Sequence, residues 1–228
     1  SNAANVTGTL HVLEAARQCG VRRIVYSASS SAYGDQPTMP LREDMTPRPL
    51  NPYGLQKFVG EEYCRVYSVC HGLETVSLRY FNVYGPRMSM DGAYVTIMSL
   101  FLRQRQAGEP FTIVGDGEQT RDFTHVRDVV RANMLAMRSP NVGRGEVMNI
   151  GAGKNQSVNM IAHLMGGPDY PKTYLPERIE ARHTLADNRL ARERIGWEPR
   201  EDFAAAVREI LDLHGFSVPA STPQLQAA

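Results

Sequence analysis

The stretch Val25-Tyr26-Ser27-Ala28-Ser29-Ser30-Ser31-Ala32-Tyr33-Gly34, followed by Asn51-Pro52-Tyr53-Gly54-Leu55-Gln56-Lys57, decides the reading of this chain. Arg22 to Ser27 forms a short apolar run behind a Gly-Val turn, and Ala28 to Gly34 is small and polar. That change predicts a strand that ends in a cleft. Open α/β sheets place ligands at the carboxyl ends of their strands, so the serines are expected at a binding site. Asn51 suits a helix N-cap and Pro52 a first helical turn. Tyr53 and Lys57 then fall at i and i+4 on one helix face.

That spacing has a chemical use. A free phenol has a pKa of about 10, so Tyr53 is a poor base at neutral pH unless a positive charge favours its phenolate. Lys57 is placed to supply the charge. Ser29, or a neighbour in the serine run, can hydrogen-bond the same substrate hydroxyl and complete a proton path. The competing reading of a Tyr-x-x-x-Lys spacing is a helix with one aromatic and one solvated lysine. The serine-rich strand end upstream favours the catalytic reading.

The flanking segments form an ordered series. It runs through Asn5-Val6-Thr7-Gly8-Thr9, the serine run, the Tyr53–Lys57 segment and Arg79-Tyr80-Phe81-Asn82-Val83-Tyr84-Gly85-Pro86-Arg87. Residues 115–129 (GDGEQTRDFTHVRDV), Asn149-Ile150-Gly151-Ala152-Gly153 and residues 185–199 (LADNRLARERIGWEP) follow. The series covers nearly the whole chain and resembles the extended short-chain dehydrogenase/reductases that epimerise nucleotide sugars, UDP-glucose 4-epimerases most closely.

The resemblance implies an α/β fold, a partial Rossmann-like doubly wound parallel sheet with a smaller mixed α/β substrate-binding region. It implies NAD as cofactor and a UDP-sugar as substrate. Ser29, Tyr53 and Lys57 would be catalytic. Asn5, Ser27, Tyr53, Lys57, Tyr80 and Phe81 would lie at the cofactor, with Phe81 on the nicotinamide side. Ser29, Asn82, Arg121 and Arg178 would hold the sugar nucleotide. The second diphosphate-binding segment departs from the usual R-x-G-(D/E) spacing by about one residue, which leaves Arg178 or Arg182 as the anchor, with Arg178 preferred. Thr184 or His183 falls where the sugar's 2-substituent is gated. Helices 6–19 and 52–70 would form a homodimer interface.

Periodicity supplies the remaining elements. Val6 to Cys19 carries a helical stripe, with Asn5 either its N-cap or a cofactor residue. Asp35 to Pro49 reads as a loop, Thr75 to Arg79 as a strand, Val95 to Ala107 as a helix and Phe111 to Val114 as a strand. A helix is expected from Val126, a strand at Val147 to Ile150, and helices at Arg189 to Ile195 and Phe203 to Leu213. The expected division is 1–90 for the part carrying Tyr53 and Lys57, 91–215 for the sugar-nucleotide region with some returning sheet elements, and 216–228 for a flexible tail.

Bulk properties narrow the function classes. With 25 basic and 24 acidic residues among 228 and a net charge of +1, nothing in the balance calls for nucleic acid or an anionic membrane. No apolar run approaches the roughly 20 residues of a membrane span. Cys19, Cys64 and Cys70 show no metal or disulfide spacing, so a reduced cytoplasmic protein is expected. His125 and Asp128 lack partners at ligand spacing, and no metal site is expected.

Nothing ahead of Ile24 supplies the strand, glycine-rich turn and helix that hold a dinucleotide pyrophosphate. Gly151-Ala152-Gly153 follows a strand but lacks a third glycine, and reads as a turn. The chain is therefore expected to correspond to the carboxyl-terminal two-thirds of an epimerase and to bind NAD weakly or not at all alone. The reaction expected of the complete protein is inversion of C4 in a UDP-hexose, glucose/galactose or N-acetylated, through a 4-keto intermediate. A nucleotide-sugar 4,6-dehydratase would place an acidic residue beside the catalytic serine, and Ser29-Ser30-Ser31 has none. The other alternative is a non-catalytic fragment that binds sugar nucleotides.

Overall fold

In the computed structural model, which describes residues 1–91 and 95–217, a π-helical turn at Ala3–Thr7 leads into helix α1 (Gly8–Gln18). Strand β1 (Arg23–Ser29), α2 (Pro52–His71), β2 (Glu74–Tyr80), β3 (Val83–Tyr84) and α3 (Ile97–Ala107) follow. The chain continues through β4 (Phe111–Val114), β5 (Thr120–Asp122), β6 (Thr124–His125), α4 (Val126–Arg138) and β7 (Arg144–Ile150). It then forms β8 (Asn155–Ser157), α5 (Val158–Gly166), β9 (Lys172–Leu175), α6 (Arg189–Ile195) and α7 (Phe203–Leu213). The strand and helices expected from periodicity are all present, with α3 starting at Ile97, where Thr96 caps the Ser99 amide. Of the expected tail, residues 218–228 lie outside the described residues.

β2 is buried along nearly its whole length, as a strand covered on both faces must be. It lies between β1 and β7 in a parallel sheet of order β1-β2-β7. On one face, Val76 and Leu78 pack with Met148, Ile150, Val129 and Trp197 beneath α4 and α6. On the other, Tyr26 and Ala28 pack with Leu13, Cys64 and Tyr67 of α1 and α2. This is a doubly wound α/β arrangement. The register sets Ser29 opposite Tyr80 and Tyr80 opposite Ile150, so three carboxyl ends meet at one side. A Cβ on Gly60 would stand 2.1 Å from the Tyr26 hydroxyl, and only glycine lets α2 approach β1 this closely.

A second core lies away from this sheet. Phe101, Phe111, Ile113, Ile161, Leu164, Ile210 and Leu211 join α3, β4, α5 and α7, and the Phe101 and Phe111 rings stack at 4.4 Å. β4 pairs with β9 in parallel, and β5 pairs with β8 antiparallel. The helix α5 and the strands β8 and β9 were not among the expected elements.

Asp122 binds the two regions together. It is fully buried, its Oδ1 accepts from the Ala152 amide (2.7 Å), and its Oδ2 accepts from the amides of Gly153 (3.0 Å) and Ala186 (2.9 Å). The amides of Ala152 and Gly153, which would face an anion, are thus directed at an internal carboxylate, in agreement with the turn reading.

Burial pushes the Asp122 carboxyl up to about 6, against the three amide bonds, which favour its ionised form. Its folded value lies above the unfolded carboxylate value of about 3.9, so the folded state binds the proton more tightly. The stability linked to that proton is present at low pH and is lost as pH rises from about 4 through about 6. Asp122→Asn cannot titrate. Urea unfolding is expected to show the variant less stable than the wild type at pH 4, with the gap shrinking by up to about 3 kcal/mol by pH 7. A gap that widens over that range would contradict the assignment.

Candidate active site

β1 ends at Ser29, whose Oγ accepts from the Ser31 amide at 3.2 Å and turns the chain into a single 3-10 turn at Ser30–Ala32. Across from it, the Asn51 side chain accepts from the Gly54 amide at 2.8 Å and caps α2, with Pro52 in the first turn. A Cβ on Gly54 would meet the Ser31 carbonyl oxygen at 2.5 Å, so the glycine after Tyr53 lets the helix start press against the serine turn. Ser29 and Tyr53 consequently line one cavity of about 750 Å³, together with Ser30, Ser31, Tyr80 and Asn82.

Lys57 is not among the residues that line this cavity. Its Nζ donates to the Ser27 carbonyl at 2.7 Å and sits 5.1 Å from the centre of the Tyr26 ring. Burial lowers the Lys57 pKa, opposed by the carboxylate of Glu61 one turn along. The amine is therefore held on the end of β1. Ser27 Oγ and Tyr80 Oη lie 3.2 Å apart, and Tyr80 Oη donates to Asn133 Oδ1 at 2.9 Å.

Two expectations change. Asn5 is not an N-cap; it lies within the π-helical turn and donates to Gln56 Oε1 at 3.0 Å. Phe81 does not present its ring to the cavity. It is fully buried with Tyr33, Leu41 and Ala186, because the side chains of a strand and its extension alternate faces and Phe81 takes the inner one.

Asn82 borders three cavities: the one just described, a smaller one of about 220 Å³ and a third of about 590 Å³. Its Nδ2 donates to the Asp122 carbonyl at 2.9 Å. Arg121 lines the second and third cavities, and Arg178 lines the third. The Arg121 guanidinium donates to the carbonyls of Thr120 (2.9 Å) and Arg182 (3.1 Å) and pairs with Glu180 at 3.2 Å. Burial lowers its pKa. Arg182 pairs with Asp116 at 2.7 Å and does not line the third cavity, which favours Arg178 over it. Thr184 lines the small cavity and accepts from the Asp122 amide at 3.2 Å, whereas His183 bonds Thr120.

His125 caps α4 through Nδ1, and Asp128 accepts from the amides of Arg200 and Glu201, so both are structural. Among the described residues no three His, Cys, Asp or Glu gather at metal-binding distance, and no helix is long and apolar enough to cross a membrane. The three cysteines are free thiols. Glu180 and Gln119 also line the cavities and were not singled out from the sequence. Their signal was position: each lies within two residues of a candidate arginine.

Residues 2–151 match the sequence pattern of the NAD dependent epimerase/dehydratase family. A UDP-glucose 4-epimerase of Mycolicibacterium smegmatis is 36% identical over 213 residues, which cover 91% of this chain and 67% of that protein. The UDP-N-acetylglucosamine 4-epimerase of Methanobrevibacter ruminantium, solved with UDP-N-acetylmuramic acid, superposes with a TM-score of 0.84 at 34% identity, covering 91% of this chain and 67% of that one. The UDP-glucuronic acid 4-epimerase of Bacillus cereus, solved with UDP-glucuronic acid and NAD, gives 0.84 at 32% identity, covering 93% and 68%. The chain thus spans about two thirds of the length of each.

The contact at Gly54 is testable. Gly54→Ala places a methyl against a backbone carbonyl that has no side-chain freedom to yield. Urea denaturation is expected to show a loss of about 1–3 kcal/mol. An unchanged midpoint would mean that the helix start does not depend on this approach.

Proposed function

The chain belongs to the NAD dependent epimerase/dehydratase family, and from that premise we propose that in the complete protein its site inverts C4 of a UDP-hexose, glucose/galactose or N-acetylated, through a 4-keto intermediate. One observation carries the reading. Ser29 and Tyr53 converge on a cavity that Asn82 joins to another lined by Arg121 and Arg178. A sugar in the first and a diphosphate in the second would match that order of groups.

Each residue then has a task. Arg121 and Arg178 hold the diphosphate through charge-assisted bonds, for which the planar guanidinium fork is suited. Tyr53 takes the proton of the C4 hydroxyl while Ser29 hydrogen-bonds the same oxygen. Lys57, fixed on the Ser27 carbonyl, supplies the positive charge that favours the phenolate. When the ketone has turned within the cavity, Tyr53 returns the proton to its oxygen. Thr184, small and bordering the neighbouring cavity, leaves room for an N-acetyl group at C2.

NAD, when bound, would supply the acceptor and donor of the C4 hydride. The residues present fit its nicotinamide end, where Tyr53 and Tyr80 border the 750 Å³ cavity, Ser27 Oγ lies 3.2 Å from Tyr80 Oη and Lys57 is held on the Ser27 carbonyl. Gly151-Ala152-Gly153 does not fit its pyrophosphate, since Asp122 already takes the amides of Ala152 and Gly153. Epimerisation is favoured over 4,6-elimination because elimination needs a second acid/base group. Among the described residues no Asp or Glu lines the 750 Å³ cavity.

We also propose pairing of two copies through residues 6–19 and 52–70. Val12 and Val69 on these helices are 58% and 72% exposed, and two-fold homo-oligomers are the commonest assemblies.

Calorimetric titration and product analysis test the two halves of the site. Arg121→Ala is expected to weaken UDP binding by about tenfold to a hundredfold. In the complete protein, Tyr53→Phe is expected to leave UDP affinity unchanged and to lower formation of the C4 epimer from UDP-glucose or UDP-N-acetylglucosamine by about 10²–10⁴-fold. Unchanged UDP affinity in Arg121→Ala would remove the diphosphate role, and a 4-keto-6-deoxy product would replace epimerisation with dehydration. In sedimentation, Val69→Asp is expected to shift the protein from dimer to monomer.

A further inference from the structure

An asparagine in the middle of a helix needs a reason, because its side chain competes with the backbone and it is a poorer helix former than alanine. Asn133 holds such a position in α4, beside the buried Ala132 and Ala136. Its Nδ2 donates to the Val129 carbonyl at 2.8 Å, one turn back. Its Oδ1 accepts from Tyr80 Oη at 2.9 Å. The orientation is locked, since exchanging oxygen and nitrogen would set Oδ1 against the Val129 carbonyl, acceptor to acceptor.

The lock has a direction. Tyr80 Oη has one proton, and it is directed at Asn133. The 3.2 Å contact between Ser27 Oγ and Tyr80 Oη therefore has the serine as donor. Ser27 is also the residue whose carbonyl receives the Lys57 ammonium at 2.7 Å. The two ends of this chain of bonds stand on opposite faces of the sheet. Lys57 belongs to α2, which packs against Tyr26 and Ala28. Asn133 belongs to α4, on the face of Val25, and alternation puts the Ser27 side chain on that face too. Among the described residues β1 is bonded to β2 along one edge only, so no second strand steadies the Ser27 peptide. The bond from its hydroxyl to Tyr80 is a further tie on that peptide.

We propose that Asn133 is a positioning residue for Lys57: acting through Tyr80 and Ser27, it fixes the backbone carbonyl on which the ammonium stands. The proposal rests on the reading of Lys57 as the charge beside Tyr53 and extends that set to α4. The competing role is purely structural, with Asn133 only fastening α4 to β2.

The lysines of the chain are Lys57, Lys154 and Lys172, so an NMR titration of the full chain with carbon-13 at lysine Cε reads Lys57 beside two internal controls. Burial lowers the Lys57 pKa and Glu61 opposes it. Glu61 and the phenols of Tyr26 and Tyr53 are untouched by the substitutions below. A hydrogen bond to the charged form favours that form, so a loosened Ser27 carbonyl is expected to lower the Lys57 midpoint further. The expected drop is about 0.5–1 pH unit, in Asn133→Leu and in Ser27→Ala alike. Adding Asn133→Leu to Ser27→Ala is expected to move the midpoint by less than about 0.3 pH unit, because the route is already cut. Lys154 and Lys172 are expected to keep their midpoints. A wild-type Lys57 midpoint in a folded Asn133→Leu protein would overturn the proposal and leave only the fastening of α4. Additive drops in the double variant would overturn it too, since Asn133 would then act by another route. If Asn133→Leu does not fold, Tyr80→Phe cuts the same route and carries the same expectations. Absence of C4 epimerisation by the complete wild-type protein is a different failure, because it removes the proposed reaction and leaves the Lys57 midpoints as they are.

Discussion

The geometry of the site depends on one buried ion pair. Glu61 of α2 and Arg79 of β2 meet side-on, with Nε to Oε1 at 3.0 Å and Nη2 to Oε2 at 2.7 Å, and their side chains are 1% and 3% exposed. Taking both charges out of water costs several kcal/mol each, and only a bidentate arrangement offsets it. Such a pair tolerates little rotation of its helix. Glu61 lies one turn beyond Lys57 and two beyond Tyr53, so the angle that satisfies Arg79 also sets where the amine and the phenol point. The Arg79 guanidinium also lies 4.4 Å over the Tyr33 ring, whose hydroxyl donates to Asn149 of β7 at 2.7 Å. Helix, serine turn and two strands are thus tied through one cation.

Internal charges elsewhere do similar work. Asp122 fills the amides of the turn after β7, Glu43 accepts from the Asn149 amide on the free edge of that strand, and Glu180 compensates Arg121. In each case a polar group that would be costly to leave unpaired meets a partner from a distant part of the chain. The case of Arg121 differs from the others in one respect. Glu180 is 43% exposed at its side chain while Arg121 is 15% exposed, so the carboxylate can move into water without uncovering a buried anion. The guanidinium can then accept a different anion.

What was legible in the sequence was local. The N-cap at Asn51, the proline after it and the four-residue spacing of Tyr53 and Lys57 are set by backbone geometry within a few residues, and they appear as expected. The strands of the main sheet are apolar enough to stand out. β8 is Asn-Gln-Ser, with no apolar residue to reveal it, and α5 is a nine-residue helix closed by Gly-Gly-Pro. Phe81 was placed by resemblance, and nothing in its neighbourhood told which face its ring would take. The Glu61–Arg79 pair joins residues 18 apart, and spacing alone cannot reveal it. A trace was nonetheless present, since an arginine near the end of an otherwise apolar central strand demands a buried acid.

Asn82 shows how the two cores come to share a site. Its φ is +30°, in a region that costs an ordinary residue about 1–2 kcal/mol and that asparagine visits more readily than most. The turn is needed because β2 ends here and the chain must leave the sheet to pair β3 with β6. With the backbone turned this way, Nδ2 reaches the carbonyl of Asp122, the residue whose carboxylate holds the turn after β7. A larger or β-branched residue would meet the same backbone demand without that bond. The point where the chain crosses from one core to the other is therefore also the residue that borders all three cavities.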